Sequence, residues 1–253
     1  MSRDYTFEAL VLRRFPVGEA HRSVTFLTRE RGLLSAIAHG AAKSTGRLKL
    51  LTTPLRHVRL KAYHDPVADS WKVVDLEGLN LLGGLGEVLE RSATASFWTE
   101  LLLASWESGG VFDLFAEALS LLDTAPAHTI TWLDAQVLWR ALDTAGLMPD
   151  FSRCSQCGEP LAGQRVRLSG ESGDPLCPAC GGARGRTEAG LSPQALDTLL
   201  ATLVFPLGEA LAAPASTDDA DHLEREGVRA WERALGRSFR SLRLTRVPPP
   251  PHT

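Results

Sequence analysis

No stretch of this sequence approaches the roughly 18 uninterrupted apolar residues that a membrane-spanning helix requires, although 44% of its 253 residues are hydrophobic. The first eight residues, M-S-R-D-Y-T-F-E, place an acid on each side of Tyr5 and contain no apolar segment. No secretory signal is therefore predicted, and a cytoplasmic protein without a membrane partner is expected. Nucleotide-binding loops are missing too. A phosphate-binding loop needs G-x-x-x-x-G-K-[ST], and around Lys43-Ser44 the two glycine positions hold Ile37 and Ala42. Gly83-Gly84-Leu85-Gly86 lacks the spacing and the strand–turn–helix context of a dinucleotide site. There is no G-x-S-x-G nucleophile elbow. A zinc deaminase needs H-x-E ahead of P-C-x-x-C. Here the sole H-x-E, His222-Leu223-Glu224, follows the cysteines, and Leu176 rather than proline precedes Cys177. These absences predict binding rather than bond-making, and no enzymatic activity.

Cysteine is absent outside one motif. Cys154-x-x-Cys157 and Cys177-x-x-Cys180 are separated by residues 158–176. Each C-x-x-C pair can turn both thiolates toward one point, and this spacing reads as a tetrahedral zinc site. Four thiolates leave no open coordination position, so the expected cofactor is one structural zinc ion rather than a catalytic one. Two disulfides in a secreted protein are the alternative. The lack of a secretory signal and of an odd thiol argues against them.

Acids are missing from one segment. Between Arg31 and Lys61 stand seven basic residues, Arg31, Lys43, Arg47, Lys49, Arg56, Arg59 and Lys61, and no acid. Residues 1–80 hold thirteen Lys/Arg and eight Asp/Glu, a balance of +5, whereas the rest holds fourteen and twenty-two, a balance of −8. A basic segment in a chain of net charge −3 suits a local polyanion site, although solvated charged faces are common.

The first 80 residues carry the period of strands. Phe7, Ala9 and Val11 alternate with Glu8, Leu10 and Leu12; Ser23–Thr28, Leu33–Ala38, Leu55–Tyr63 and Trp71–Leu76 follow, with turns at Arg31-Gly32 and elsewhere. Five short strands predict a small barrel, and the five-stranded OB-fold is the smallest architecture that fits. Near residue 85 the apolar spacing changes to three and four, predicting helices through 88–102, 111–122 and 130–147. The zinc module follows at about 153–186. Ser192-Pro193 opens a further helix that Pro206 kinks or splits, and a last helix is expected over 220–236. The aromatic stripe Phe97, Trp98, Trp106, Phe112, Phe115, Trp132 and Trp139 reads as core. The expected class is α+β, with an OB-fold domain over 1–80 and a helical domain over 81–253 that carries the zinc module. The Pro-rich tail 247–253 is expected to be disordered.

Two stretches carry a family resemblance. Residues 9–41, A-L-V-L-R-R-F-P-V-G-E-A-H-R-S-V-T-F-L-T-R-E-R-G-L-L-S-A-I-A-H-G-A, place Glu19, Gly32, Ala38 and Gly40 in a strand–turn–strand–turn–strand order. Residues 235–244, L-G-R-S-F-R-S-L-R-L, resemble a closing helix with its basic Ser-Leu segment. With the four cysteines between them, the chain resembles the zinc-bearing branch of the RecO family of bacterial recombination mediators. That resemblance implies binding of single- and double-stranded DNA by the barrel and annealing of complementary strands without ATP. It also implies a RecR-like partner, contact with the acidic tail of single-strand-binding protein, and assistance to RecA loading, in the cytoplasm at the nucleoid.

In a barrel of this kind the candidate DNA contacts are Arg14, Arg22, Arg31, Lys43, Arg47, Lys49, Arg56, Arg59 and Lys61. The glycine-bracketed segment Gly40–Lys49 reads as a flexible basic loop suited to a phosphate backbone. Phe7, Phe15, Tyr63 and Trp71 are the aromatic candidates, each as consistent with core, so electrostatics is expected to outweigh base stacking. Arg153, Arg165, Arg167, Arg184 and Arg186 around the cysteines would form a second basic surface, or simply keep the module soluble. The competing expectation is a zinc-bearing adaptor for RNA or protein partners in ribosomal or transcriptional assembly, since fold alone does not settle function.

Overall fold

Strand alternation in the first 80 residues resolves into a closed five-stranded barrel in the computed structural model, which describes residues 3–42, 46–105, 109–182 and 190–241. The strands are β1 (Asp4–Val17), β2 (His21–Thr28), β3 (Gly32–Ala38), β4 (His57–Asp65) and β5 (Ser70–Asn80), hydrogen-bonded in the order β1-β2-β3-β5-β4. This is an OB-type barrel. β1 serves two neighbours: Asp4–Leu10 pair with β4, and Ala9–Val17 pair with β2. A register shift between Val11 and Arg13 bends the strand from one to the other, as a bulge does. β3 and β5 close the ring in parallel, with Ala36 opposite Trp71 and Ile37 opposite Lys72.

Phe7, Ala9, Val11, Val24, Phe26, Leu34, Val58, Leu60 and Leu76 fill the barrel interior. Leu10 and Leu27, directly opposite each other on the outer face, are nevertheless fully buried. His57, which pairs with Leu10, lies with its ring 5.8 Å from Phe112, and the Arg29 guanidinium sits 4.8 Å over that same ring. The start of α3 (Phe112–Thr124) therefore covers this outer face, and Arg29 also pairs with Asp113 there.

The segment read as a flexible loop from Gly40 to Lys49 is partly helical: α1 (Arg47–Leu51) plugs one end of the barrel with Leu48 and Leu51. A helix of five residues is too short to leave a periodic trace in sequence. Gly78 of β5 admits it, because a Cβ there would lie 3.1 Å from Leu51. Lys43, Trp106, Arg184, Arg186 and the tail 247–253 lie outside the described residues.

Two compact units result, one running to Thr124 and taking in Ser241, the other spanning Ala125–Arg240. In the first, α2 (Leu89–Ser105) buries Phe97, Trp98, Leu101 and Leu102. The glycine run 83–86 forms a short turn against the end of α3. A Cβ on Gly84 would fall 2.2 Å from the Asp123 carbonyl oxygen, and Asp123 accepts from the Leu85 N–H at 2.9 Å. Gly84 thus serves close packing. Ser241 donates to Glu100 of α2 through its N–H (2.9 Å) and hydroxyl (2.7 Å).

In the second unit, α4 (Ala127–Thr144) packs on α8 (Thr217–Leu235), with α6 (Pro193–Thr202) beside them. Tryptophans couple the pair: Trp139 donates to the Leu223 carbonyl at 2.9 Å and Trp231 to the Leu138 carbonyl at 3.2 Å. Satisfying the indole N–H in this way lets so large a ring be buried without stranding a donor. Ser192 caps α6 by accepting from the Ala195 N–H at 2.9 Å, and Pro206 separates α6 from α7 (Leu207–Ala210). α8 begins three residues earlier than the apolar stripe indicates, because Ser216 supplies its cap and Asp218 and Asp219 suit its first turn. Among the described residues no helix is long and apolar enough to cross a membrane.

Candidate functional site

The barrel distributes its basic residues unevenly. Arg14 extends from β1 past the bulge, and its guanidinium donates to the Lys49 carbonyl and the Thr53 hydroxyl, each at 3.3 Å. It therefore ties the strand to α1 and lies beside the exposed Lys49. Arg47 opens α1 and donates to the Leu76 carbonyl at 2.6 Å, fixing the helix on β5. Arg22 lies near the start of β2, opposite Pro16 on β1. Arg14, Arg22, Arg47 and Lys49 thus gather at the end of the barrel that α1 plugs. Arg13, next to Arg14 in sequence, leaves β1 on the strand's other face, in register with Thr25. It is exposed, donates to the Thr25 hydroxyl at 3.4 Å, and its guanidinium lies 5.2 Å over the ring of Phe15, itself 52% exposed. Sequence reasoning passed over Arg13, although its place in an Arg-Arg-Phe run beside Arg14 was visible.

Arg59, Lys61 and Arg31 sit elsewhere. Arg59 and Lys61 share the outer face of β4, as strict alternation requires. That face is charge-balanced: Arg59 pairs with Glu77 at 2.6 Å and stands opposite Glu8 in register, and Lys61 stands opposite Asp75. Arg56 bonds the Leu81 and Leu82 carbonyls and holds the chain where it leaves β5. Arg31 occupies the turn between β2 and β3, at the opposite end from α1, with its guanidinium 5.1 Å over Trp71.

The four cysteines are brought together by local chain geometry. After the first pair, Gly158 takes φ +75°, and its N–H donates to the Cys154 carbonyl at 2.9 Å, closing one knuckle. A two-residue hairpin, β6 (Arg167–Leu168) with β7 (Pro175–Leu176), delivers Cys177, and α5 (Pro178–Gly182) carries Cys180. The second knuckle repeats the first, since the Gly181 N–H donates to the Cys177 carbonyl at 2.9 Å. The Ser155 N–H reaches the Pro175 carbonyl at 2.9 Å and ties the two knuckles together.

All four Sγ atoms lie within 4.8 Å of one another, and Cys157 and Cys177 are 3.8 Å apart. Disulfide sulfurs would be about 2.05 Å apart. A tetrahedral ion with sulfur ligands at about 2.3 Å has an edge of about 3.8 Å. Backbone donation from Cys177 holds the Cys154 thiol down at about 6, whereas the neighbouring Cys177 sulfur pushes Cys180 up to about 12. Four thiolates crowd this space only if a cation offsets their repulsion, and these residues could hold a metal ion. Three described arginines bond the module's backbone: Arg153 donates to the Gly158 carbonyl, Arg165 to that of Gly190 and Arg167 to that of Gly181.

Comparison with known proteins agrees with this architecture. Residues 1–69 match the family model described as Recombination protein O N terminal, and residues 86–243 match Recombination protein O C terminal. The chain is 34% identical over 248 residues to the DNA repair protein RecO of Anaeromyxobacter dehalogenans (strain 2CP-C), covering 93% of each. It is 38% identical over 162 residues to that of Heliobacterium modesticaldum (63% of this chain, 58% of that protein). Against that of Myxococcus xanthus it is 35% identical over 184 residues (70% and 72%). With a five-stranded barrel, a helical region and a four-cysteine cluster in the expected order, this chain belongs to the RecO family of DNA repair proteins.

Proposed function

We propose that this protein mediates recombinational repair by binding single- and double-stranded DNA on its barrel and annealing complementary strands without ATP. The observation that carries this reading is the gathering of Arg14, Arg22, Arg47 and Lys49 at the α1 end of the barrel. Cations at that end neutralise phosphates and release condensed counterions without reading sequence. Two strands held together with their charges partly offset can find register. Arg31 adds a contact at the other end, and Arg59 and Lys61, balanced by Glu8, Glu77 and Asp75, contribute least.

The protein acts by binding rather than by a chemical step of its own. The four cysteines hold one zinc ion, since four soft thiolates in a tetrahedron suit zinc and leave no open position. The zinc would supply no chemistry beyond fixing the knuckles. A RecR-like partner, the tail of single-strand-binding protein and, indirectly, RecA are its protein partners, and the cytoplasmic nucleoid is its location.

Binding of a fluorescent oligonucleotide by R22E/K49E tests the placement. Affinity at low salt is expected to fall at least tenfold, with a shallower dependence on salt. Unchanged affinity would remove the α1 end from the DNA surface. Preference for structured RNA over DNA in the wild type would favour the ribosomal or transcriptional adaptor instead.

A further inference from the structure

The end of the barrel opposite α1 is built from aromatic rings. Tyr5 and Phe7 are neighbours on the inward face of β1, with rings stacked 6.0 Å apart and nearly parallel. Trp71, at the seam where β3 joins β5, meets both edge-on at 5.2 and 5.8 Å. Phe7 is buried and belongs to the core, but Tyr5 is 38% exposed and Trp71 only half-buried. A plug that merely closed the barrel would need apolar bulk and nothing more, as α1 supplies at the other end.

A cation covers the Trp71 ring. The exposed Arg31 guanidinium lies 5.1 Å over Trp71, and Arg31 enters no ion pair among the described residues. The His64 ring leans on Trp71 at 4.5 Å. Next to it Tyr63 carries the Lys72 ammonium 5.9 Å over its ring, and its hydroxyl accepts from Arg3 at 3.3 Å. Two nearby acids are already engaged: Asp65 with Lys72 and the N–H groups of Val67 and Ala68, and Asp69 with His64. A planar cation on an indole face occupies the position that a nucleobase takes when it stacks there.

We propose that this rim is a stacking subsite for one or two unpaired bases of a single strand. A base displaces the Arg31 guanidinium from Trp71 and packs against Trp71 and Tyr5, and Arg31 turns to the adjoining phosphate. The subsite rests on the proposed DNA-binding reading and deepens it. Cations at the α1 end serve either form of DNA, whereas this rim accepts only bases released from a duplex.

Fluorescence anisotropy with three probes separates the terms: an oligo-dT, an abasic oligomer of the same length, and a duplex. The wild type is expected to bind oligo-dT about tenfold or more tighter than the abasic strand, from stacking of one or two bases. Tyr5→Leu should erase that difference while leaving abasic and duplex affinities and the salt dependence in place. Trp71→Leu should do the same. Because Trp71 also packs on the barrel core, its thermal transition must match the wild type for that variant to count, and Tyr5→Leu decides the matter otherwise. Equal binding of oligo-dT and abasic strand by the wild type would overturn the proposal. So would a dT preference that survives in Tyr5→Leu. Failure to bind all three probes would instead remove the DNA-binding reading itself.

Discussion

Glu8 shows how one side chain on a small barrel ties several elements together. It bonds His57 at 2.9 Å and Arg29 at 3.1 Å, and Arg29 in turn covers Phe112 and pairs with Asp113. Burial alone would raise the Glu8 carboxyl, but the hydrogen bonds and charges of Arg29 and His57 outweigh it and hold the group below the ordinary carboxylate range. A depressed carboxylate stabilises the fold above its unfolded pKa of about 4.3, and that contribution is lost as pH falls through the folded value. Glu8→Gln should therefore cost roughly 0.5–1 kcal/mol near neutrality, since the pair is partly exposed. In acid titrations followed by circular dichroism, the difference between variant and wild type should shrink below about pH 4. A pH-independent difference would assign the effect to packing. Gly84→Ala tests a steric requirement of the same kind. Its Cβ would overlap the Asp123 carbonyl, and a loss of roughly 1–3 kcal/mol in thermal unfolding is expected. At this scale the sequence disclosed which residues carry charge but not which charges meet. Arg59 looked as available as Lys49, and only strand register sets Glu8 and Glu77 on either side of it. The meeting of Tyr5 with Trp71 likewise depends on barrel closure, which no local pattern announces.

Among the elements, the cysteine knuckles and the strands were legible for opposite reasons. The cysteine spacing is a local chemical constraint, so the cluster follows from it, and the alternation of Val58, Leu60 and Ala62 against Arg59 and Lys61 fixes the faces of β4. Short α1 left no such trace, and the glycine-bracketed basic segment that holds it resembled a loop. The knuckles do not stand alone. Phe151, just ahead of Cys154, lies 5.8 Å from Trp139 of α4, and Gly173 in the hairpin turn approaches Arg233 of α8 so closely that a Cβ would come within 2.7 Å. Removing the metal with a chelator should therefore unfold the knuckles and lower the melting temperature of the helices they touch. The measurement is a thermal scan with and without chelator, paired with quantitation of the released metal. An unchanged transition after the metal has left would show that the module is not coupled to α4 and α8.

At the scale of the whole molecule, net charge is a poor guide and its distribution a good one. The chain carries −3 overall, yet the barrel carries cations at both ends, on a scaffold shared with proteins named for DNA repair. Binding through phosphates and unpaired bases needs no nucleotide hydrolysis, in keeping with a sequence that lacks a phosphate-binding loop. The most direct test of this account is the rate at which the protein anneals two complementary oligonucleotides precoated with single-strand-binding protein, with no nucleotide present. Rapid annealing that slows as salt rises, and that is lost in R22E/K49E, is the predicted result. No acceleration over the protein-free rate, at concentrations where the oligonucleotides are bound, would contradict it.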